Sequence, residues 1–208
     1  MKILIIGLGR TGTTSLLNAF NEYGYYCISE PYATGPFADS NVLYPLAEMD
    51  NHISVVVKTT TYQKPKLWEG DWHDFILEFS KLFDRIIFLD REDFAAHYNS
   101  YLNLWWKIYN KQDVYQKWRD SDIPISFKYG FEAGGGNHRL HDEKQNFKQL
   151  VDKLNGEITW YENLYGLDRE VSKKEIEKWN IPNLDVDFFN DFLNPKYKLY
   201  QNKPKNSL

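Results

Sequence analysis

The residues whose types and spacing suggest chemistry appear first at Gly7-Leu8-Gly9-Arg10-Thr11-Gly12-Thr13-Thr14. Glycines let a backbone approach an anion closely. Successive N–H groups of such a turn converge, a following helix start adds partial positive charge, and threonine hydroxyls can donate. The ligand to expect is phosphorylated. Three more charged residues stand where strand-like runs give out: Glu30 after Tyr25 to Ser29, Lys58 after Ile53 to Val57, and Arg91 after Arg85 to Asp90. In an open α/β sheet that position faces the ligand. Pro31 biases Glu30 toward an extended backbone, which would let its carboxylate emerge on the same rim as the loop.

The loop fits two phosphate-binding patterns. Gly7, Gly9 and Gly12 satisfy the dinucleotide fingerprint, with Glu30 available as a ribose-binding acid. Gly7 and Gly12 also satisfy the first six positions of a P-loop. Its lysine is missing, because Thr13 stands there, and the cation sits instead at Arg10, in front of Gly12. A dehydrogenase, a nucleotide kinase or NTPase with a degenerate loop, and a non-catalytic nucleotide-binding module are all compatible with the loop alone.

The elements that would position these residues alternate. The apolar run Ile3 to Ile6 is a strand, and Leu16, Leu17 and Phe20 carry helical spacing that Gly24 ends. Tyr25 to Ser29 is a second strand. Residues 32–50 are irregular, with a short helix near Leu43 to Met49, and would wrap the site. Ile53 to Val57 is a third strand, Trp68 to Phe83 a helix, and Arg85 to Asp90 a fourth strand. Arg91-Glu92-Asp93 and a long helical segment running to about Trp118 follow it, with Phe94 and Tyr98 on the inner face. Residues 121–141, with Pro124 and three consecutive glycines, read as an excursion from the sheet. Asp142 to Leu154 is a helix, Glu157 to Tyr161 a fifth strand, and Lys173 to Trp179 and Val186 to Leu193 are capping helices. Such alternation implies an α/β fold with a parallel five-stranded sheet and helices on both faces.

With 208 residues, 42% of them apolar, the chain reads as a single domain, residues 1–208. A net charge of −4 argues against a nucleic-acid binder that works by overall charge. No apolar run reaches membrane-spanning length and no signal peptide is evident. Cys27 is the only cysteine and lies in an apolar neighbourhood, so a packed thiol in a reducing, cytoplasmic setting is expected. His138 and His141 beside Asp142 lack the further ligands of a zinc site, so no metal is expected. Most of the aromatic residues, 17% of the chain, fall at core-facing positions. Trp105 and Trp106 are the pair set apart as a possible stacking surface for a sugar.

Arg10-Thr11-Gly12-Thr13-Thr14 opening a helix resembles the 5′-phosphosulfate loop of sulfotransferases that use 3′-phosphoadenosine 5′-phosphosulfate (PAPS). Three later stretches fit that family in order. Glu30 and Lys58-Thr59 occupy the acceptor-side positions at two strand ends. Arg85 to Asp90 followed by Arg91 resembles the family's 3′-phosphate-binding strand, with Asn99 at the usual serine spacing and Ser100-Tyr101 one place later. Ile158-Thr159-Trp160-Tyr161-Glu162-Asn163-Leu164 resembles its fifth strand and Tyr-Glu-x-Leu. The cytosolic small-molecule branch has a histidine base where Thr60 stands and a C-terminal Arg-Lys-Gly segment that is missing here, so the carbohydrate-type branch is the nearer one.

The resemblance implies a P-loop-like sulfotransferase fold and sulfuryl transfer from PAPS to a hydroxyl acceptor, a small molecule or a carbohydrate. Arg10, Thr11, Gly12, Thr13, Thr14 and Ser15 would hold the 5′ end of the donor. Arg91 with Asn99 or Ser100 would hold its 3′-phosphate. Arg10 and Lys58 would neutralise developing charge while Glu30 took the acceptor's proton. Each has a plainer explanation: Arg10 as a surface charge, Lys58 as a strand cap, Glu30 as an ion-pair partner of Arg10 or Lys58, and Arg91 as a partner of Glu92 or Asp93.

Overall fold

β1 (Lys2–Gly7) is apolar from Ile3 onward because that run is buried on both faces. Ile3, Leu4, Ile5 and Ile6 have no exposed surface, as expected of a central parallel strand. The computed structural model describes residues 1–32, 49–61, 63–65, 68–100, 136–166 and 168–194, with the side chains of 136–139 outside the description. Within them β2 (Tyr26–Ser29), β3 (Val55–Thr60), β4 (Arg85–Asp90) and β5 (Ile158–Trp160) join β1 in one all-parallel sheet of order β2-β3-β1-β4-β5.

Side-chain alternation along the strands supplies two cores. Ile3, Ile5, Val56, Ile87 and Leu89 face α1 (Thr13–Glu22), which presents Leu16, Leu17 and Phe20, together with α5 (Arg169–Glu177) and α6 (Val186–Leu193). Leu4, Ile6, Val55, Val57 and Phe88 face Phe75, Ile76 and Phe79 of α2 (Trp72–Ser80) and Phe147, Leu150 and Val151 of α3 (Gly136–Lys153). Helices therefore cover both faces. A single turn, α4 (Tyr161–Leu164), leaves β5 directly, and residues 94–100 are helical after β4. β1 connects toward β2 on one side and β4 toward β5 on the other, so the carboxyl ends of β1 and β4 border the topological switch point.

Several expected boundaries move. β3 starts two residues after Ile53, which is 93% exposed, and continues through Lys58, Thr59 and Thr60, because it pairs with β1 from Lys2↔Val55 to Gly7↔Thr60. β5 shrinks to three residues, the length that faces Phe88 to Asp90, and Tyr161 turns into α4. α2 begins at Trp72 rather than Trp68 because Asp71 caps it, accepting from the Asp74 N–H at 2.8 Å. Asp168 likewise starts α5 four residues before Lys173. α3 begins six residues before Asp142, and α6 spans the expected Val186–Leu193. Met49–Asn51 forms a 3₁₀ turn. The rest of the irregular stretch before it, the helix beyond residue 100, Trp105 and Trp106, and most of the glycine-rich excursion lie outside the described residues. No helix among the described residues is long and apolar enough to cross a membrane.

Candidate functional site

Gly7 is required where β1 turns into the loop. A Cβ there would meet Thr13 Cγ2 at 2.6 Å, Thr11 Oγ1 at 2.7 Å and the Leu89 carbonyl at 2.8 Å. The loop folds back over the strand end because Thr11, fully buried, donates its hydroxyl to Leu8 O at 2.7 Å. The Thr11 hydroxyl is thus taken up within the loop, and Thr13 is buried with its Cγ2 against Gly7. Gly12, the residue before α1, lies in the left-handed region at φ 86°, and α1 has no side-chain cap and no acidic residue in its first turn. By contrast, α2, α5 and α6 each have an aspartate cap and an acidic residue in the first turn. The first α1 amide bonded to a preceding carbonyl is that of Leu16, on Gly12 O at 3.1 Å. The N-terminal donors of α1 are left for an outside acceptor.

Arg10, at φ 67°, donates from Nε to Ser100 Oγ at 3.2 Å. This brings two expected site residues together from opposite sides of the crevice. Asn99, the alternative at that spacing, is exposed. The Tyr165 hydroxyl, whose pKa burial pushes well up, donates to Gly12 O at 2.8 Å. Thr14 and Ser15 sit on the exposed first turn of α1.

Lys58 is not the strand-end residue expected. It lies within β3 and is 3% exposed, and its Nζ donates to Thr14 Oγ1 at 3.1 Å and pairs with Glu30 Oε1. Glu30 is not extended either; its φ is 49°. Its N–H bonds Lys58 O at 2.7 Å, and its second carboxylate oxygen accepts from Gln63 Nε2 at 3.1 Å, which together hold the strained backbone. Gln63 is itself anchored, its carbonyl oxygen accepting from Thr59 Oγ1 at 3.0 Å and Thr60 N at 3.2 Å. Among the described non-glycine residues with positive φ, three are asparagines, which tolerate it. The other two are Arg10 and Glu30. Such strain, of order 1–3 kcal/mol each, concentrates at functional sites.

Arg91 leaves the end of β4 with its guanidinium 3.8 Å from the Tyr161 ring centroid. One terminal nitrogen donates to Ala96 O at 3.3 Å, while the buried Nε has no hydrogen-bond partner among the described residues. Glu92 is not paired with it; the Glu92 amide instead bonds Glu162 Oε2 at 2.8 Å. Beneath Arg91, buried Asp90 accepts from Lys144 Nζ at 2.9 Å through both oxygens and from the Arg91 amide at 2.7 Å. Burial pushes the Asp90 carboxyl up and Lys144 opposes it. His97 has no exposed surface, and its Nε2 lies 2.8 Å from Gly9 O.

Arg10, Thr14, Lys58, Glu30, Arg91 and Ser100 therefore line one rim of the sheet. Gln63, Tyr161, Tyr165, Asp90, Lys144 and His97 support them and were not singled out from sequence for this site. His97 alone had a readable signal: a histidine six residues after Arg91 on an amphipathic helix. A cavity of about 620 Å³ lies at the opposite, amino edge of the sheet, near Tyr26, His52 and Ile53, and no lysine or arginine among the described residues lines it. The carboxyl rim is the better candidate, because that is where parallel sheets receive ligands. No protein-family model matches the chain, and no curated protein matches it.

Proposed function

We propose that the chain is a sulfotransferase with a P-loop-like α/β fold, moving a sulfuryl group from PAPS to a hydroxyl acceptor, with a carbohydrate as the narrower acceptor class. The strand order β2-β3-β1-β4-β5 is compatible with that fold. The observation that carries the reading is the placement of Lys58 Nζ. It bridges Thr14 Oγ1, on the first turn of the anion-accepting helix, and the Glu30 carboxylate. A hydroxyl bound at Glu30 would thus stand next to a group held at the loop.

The site suits a doubly phosphorylated adenosine because it offers two separate sets of anion donors. The uncapped amides of α1 with Arg10 form one, and the Arg91 guanidinium at the end of β4 forms the other. In the reaction the acceptor oxygen forms a bond to sulfur as the bond from sulfur to the 5′-phosphate oxygen breaks, in line, much as in phosphoryl transfer. Glu30 takes the acceptor's proton, and Lys58 and Arg10 stabilise the negative charge gathering on the leaving phosphate. Glu30 begins as an ion-pair partner of Lys58, so its activity as a base depends on Lys58 being drawn toward the donor.

The test is transfer of ³⁵S from labelled PAPS to a panel of hydroxyl acceptors, including saccharides. Turnover that drops at least a hundredfold in Glu30→Gln, with donor binding retained, fits the proposal. No labelled product from any acceptor, or Glu30→Gln turning over like the parent, rejects it. A second reading, a nucleotide kinase or NTPase, draws support from the same Lys58, whose ammonium reaches the loop that lacks its own lysine. Strong magnesium-dependent ATP binding would favour it.

A further inference from the structure

We propose that His97 is a positioning residue that fixes the Gly9–Arg10 peptide so that the loop accepts an anion. The imidazole is fully enclosed, with Nε2 2.8 Å from Gly9 O. A carbonyl oxygen only accepts, so Nε2 carries the proton and donates it. Because the peptide unit is planar and trans, turning the Gly9 carbonyl toward His97 turns the Arg10 N–H the opposite way. That N–H joins a loop whose residues 10 and 12 both have left-handed φ, 67° and 86°, a backbone form that makes successive amides converge on an anion.

The backbone of His97 is fixed where its amide bonds Asp93 O at 3.0 Å. Its Nδ1, unprotonated in this tautomer, lies 3.7 Å from Asp90 Oδ1, beyond hydrogen-bond distance, and Asp90 is fixed by Lys144 and by the Arg91 amide. Among the described residues, the charged and polar groups that act on the ring are Asp90 and Arg91 from the end of β4, Lys144 from α3, and Gly9 and Arg10 from the loop. Burial keeps the imidazole neutral near pH 7, and the neighbouring cations reinforce this. One side chain thus ties the loop after β1 to the end of β4, where Arg91 stands, and orients the peptide between Gly9 and Arg10.

This inference rests on the anion-site reading, and its test separates the two. Affinities of 3′-phosphoadenosine 5′-phosphate and of inorganic pyrophosphate are measured by calorimetry for the parent, His97→Leu and His97→Gln, with thermal melts as folding controls. The expected result is binding about tenfold weaker in His97→Leu, the loss of one well-made hydrogen bond. His97→Gln keeps an N–H donor and should stay within about threefold of the parent. Unchanged affinity in His97→Leu, or equal losses in the two variants, would overturn the role. If the parent binds neither probe, the anion-site reading falls, and the crystal structure of His97→Leu decides the positioning role by itself. A Gly9 carbonyl turned away from residue 97 supports it, and an unmoved peptide rejects it.

Discussion

The Lys58–Glu30 pair allows a quantitative test. Lys58 is 3% exposed and Glu30 about a quarter exposed in its side chain, so the pair is buried on the lysine side and wetter on the glutamate side. Removing one member of a fully buried pair costs about 3–5 kcal/mol, because the other charge is stranded. Lys58→Met leaves Glu30 with Gln63 and partial access to water, so its cost should be lower, about 2 kcal/mol. Glu30→Gln strands the more deeply buried ammonium with Thr14 Oγ1 as its remaining described partner and should cost about 3 kcal/mol. The double variant strands neither charge and should cost about 2–3 kcal/mol, well below the sum of the two singles. The coupling is then about 2 kcal/mol, read from urea unfolding of the four proteins at one pH. Additivity within about 0.5 kcal/mol would refute the coupling and remove the observation on which the functional proposal leans.

Three other outcomes are expected. Burial holds the folded-state pKa of His97 down at about 4 against an ordinary 6.5, with the Gly9 hydrogen bond opposing it and the charges of Lys144, Arg91 and Arg10 reinforcing it. The unfolded chain therefore takes up this proton first, and the folded state loses up to about 3 kcal/mol as pH falls from 6.5 to 4. His97→Gln should lack that part of the decline in urea-derived stability, and a pH-independent difference from the parent would contradict it. Gly7→Ala should destabilise by about 1–3 kcal/mol, because the Leu89 carbonyl at 2.8 Å has no free rotamer with which to retreat; an unchanged denaturation midpoint would contradict this. Burial pushes the Cys27 thiol up to about 12, so its thiolate fraction at pH 8, and with it the alkylation rate, should be about a thousandfold lower in the folded protein than in denaturant, and equal rates would contradict that.

The sheet was legible in the sequence because its strands are short, apolar and separated by helical spacing, and four of the five lay close to their expected places. Lengths were less legible, since pairing sets them: β3 runs through Lys58-Thr59-Thr60 because Gly7 needs Thr60 opposite it, a constraint no window on residues 53–57 contains. Glu30 shows the same limit. Pro31 argues for an extended residue, but a hydrogen bond to Lys58 O and two side-chain partners impose a left-handed one. Arg10, Glu30, Lys58 and Arg91 were readable as charged residues near glycines or strand ends. Gln63, Asp90 and Lys144 were not, and the role of His97 was not, because these contributions depend on contacts between segments far apart in the chain. His97 reaches back 88 positions to Gly9, and Lys144 reaches 54 positions to Asp90.

The central claim is that the turn after β1 and the end of β4 hold opposite ends of one nucleotide. The most direct measurement is a crystal structure of the protein soaked with 3′-phosphoadenosine 5′-phosphate. The account predicts the 5′-phosphate on the amides of Gly12, Thr13 and Thr14 beside Lys58, and the 3′-phosphate on the Arg91 guanidinium near Ser100. Nucleotide density at the amino edge near His52, or a bound nucleotide that leaves Arg91 untouched, would contradict it.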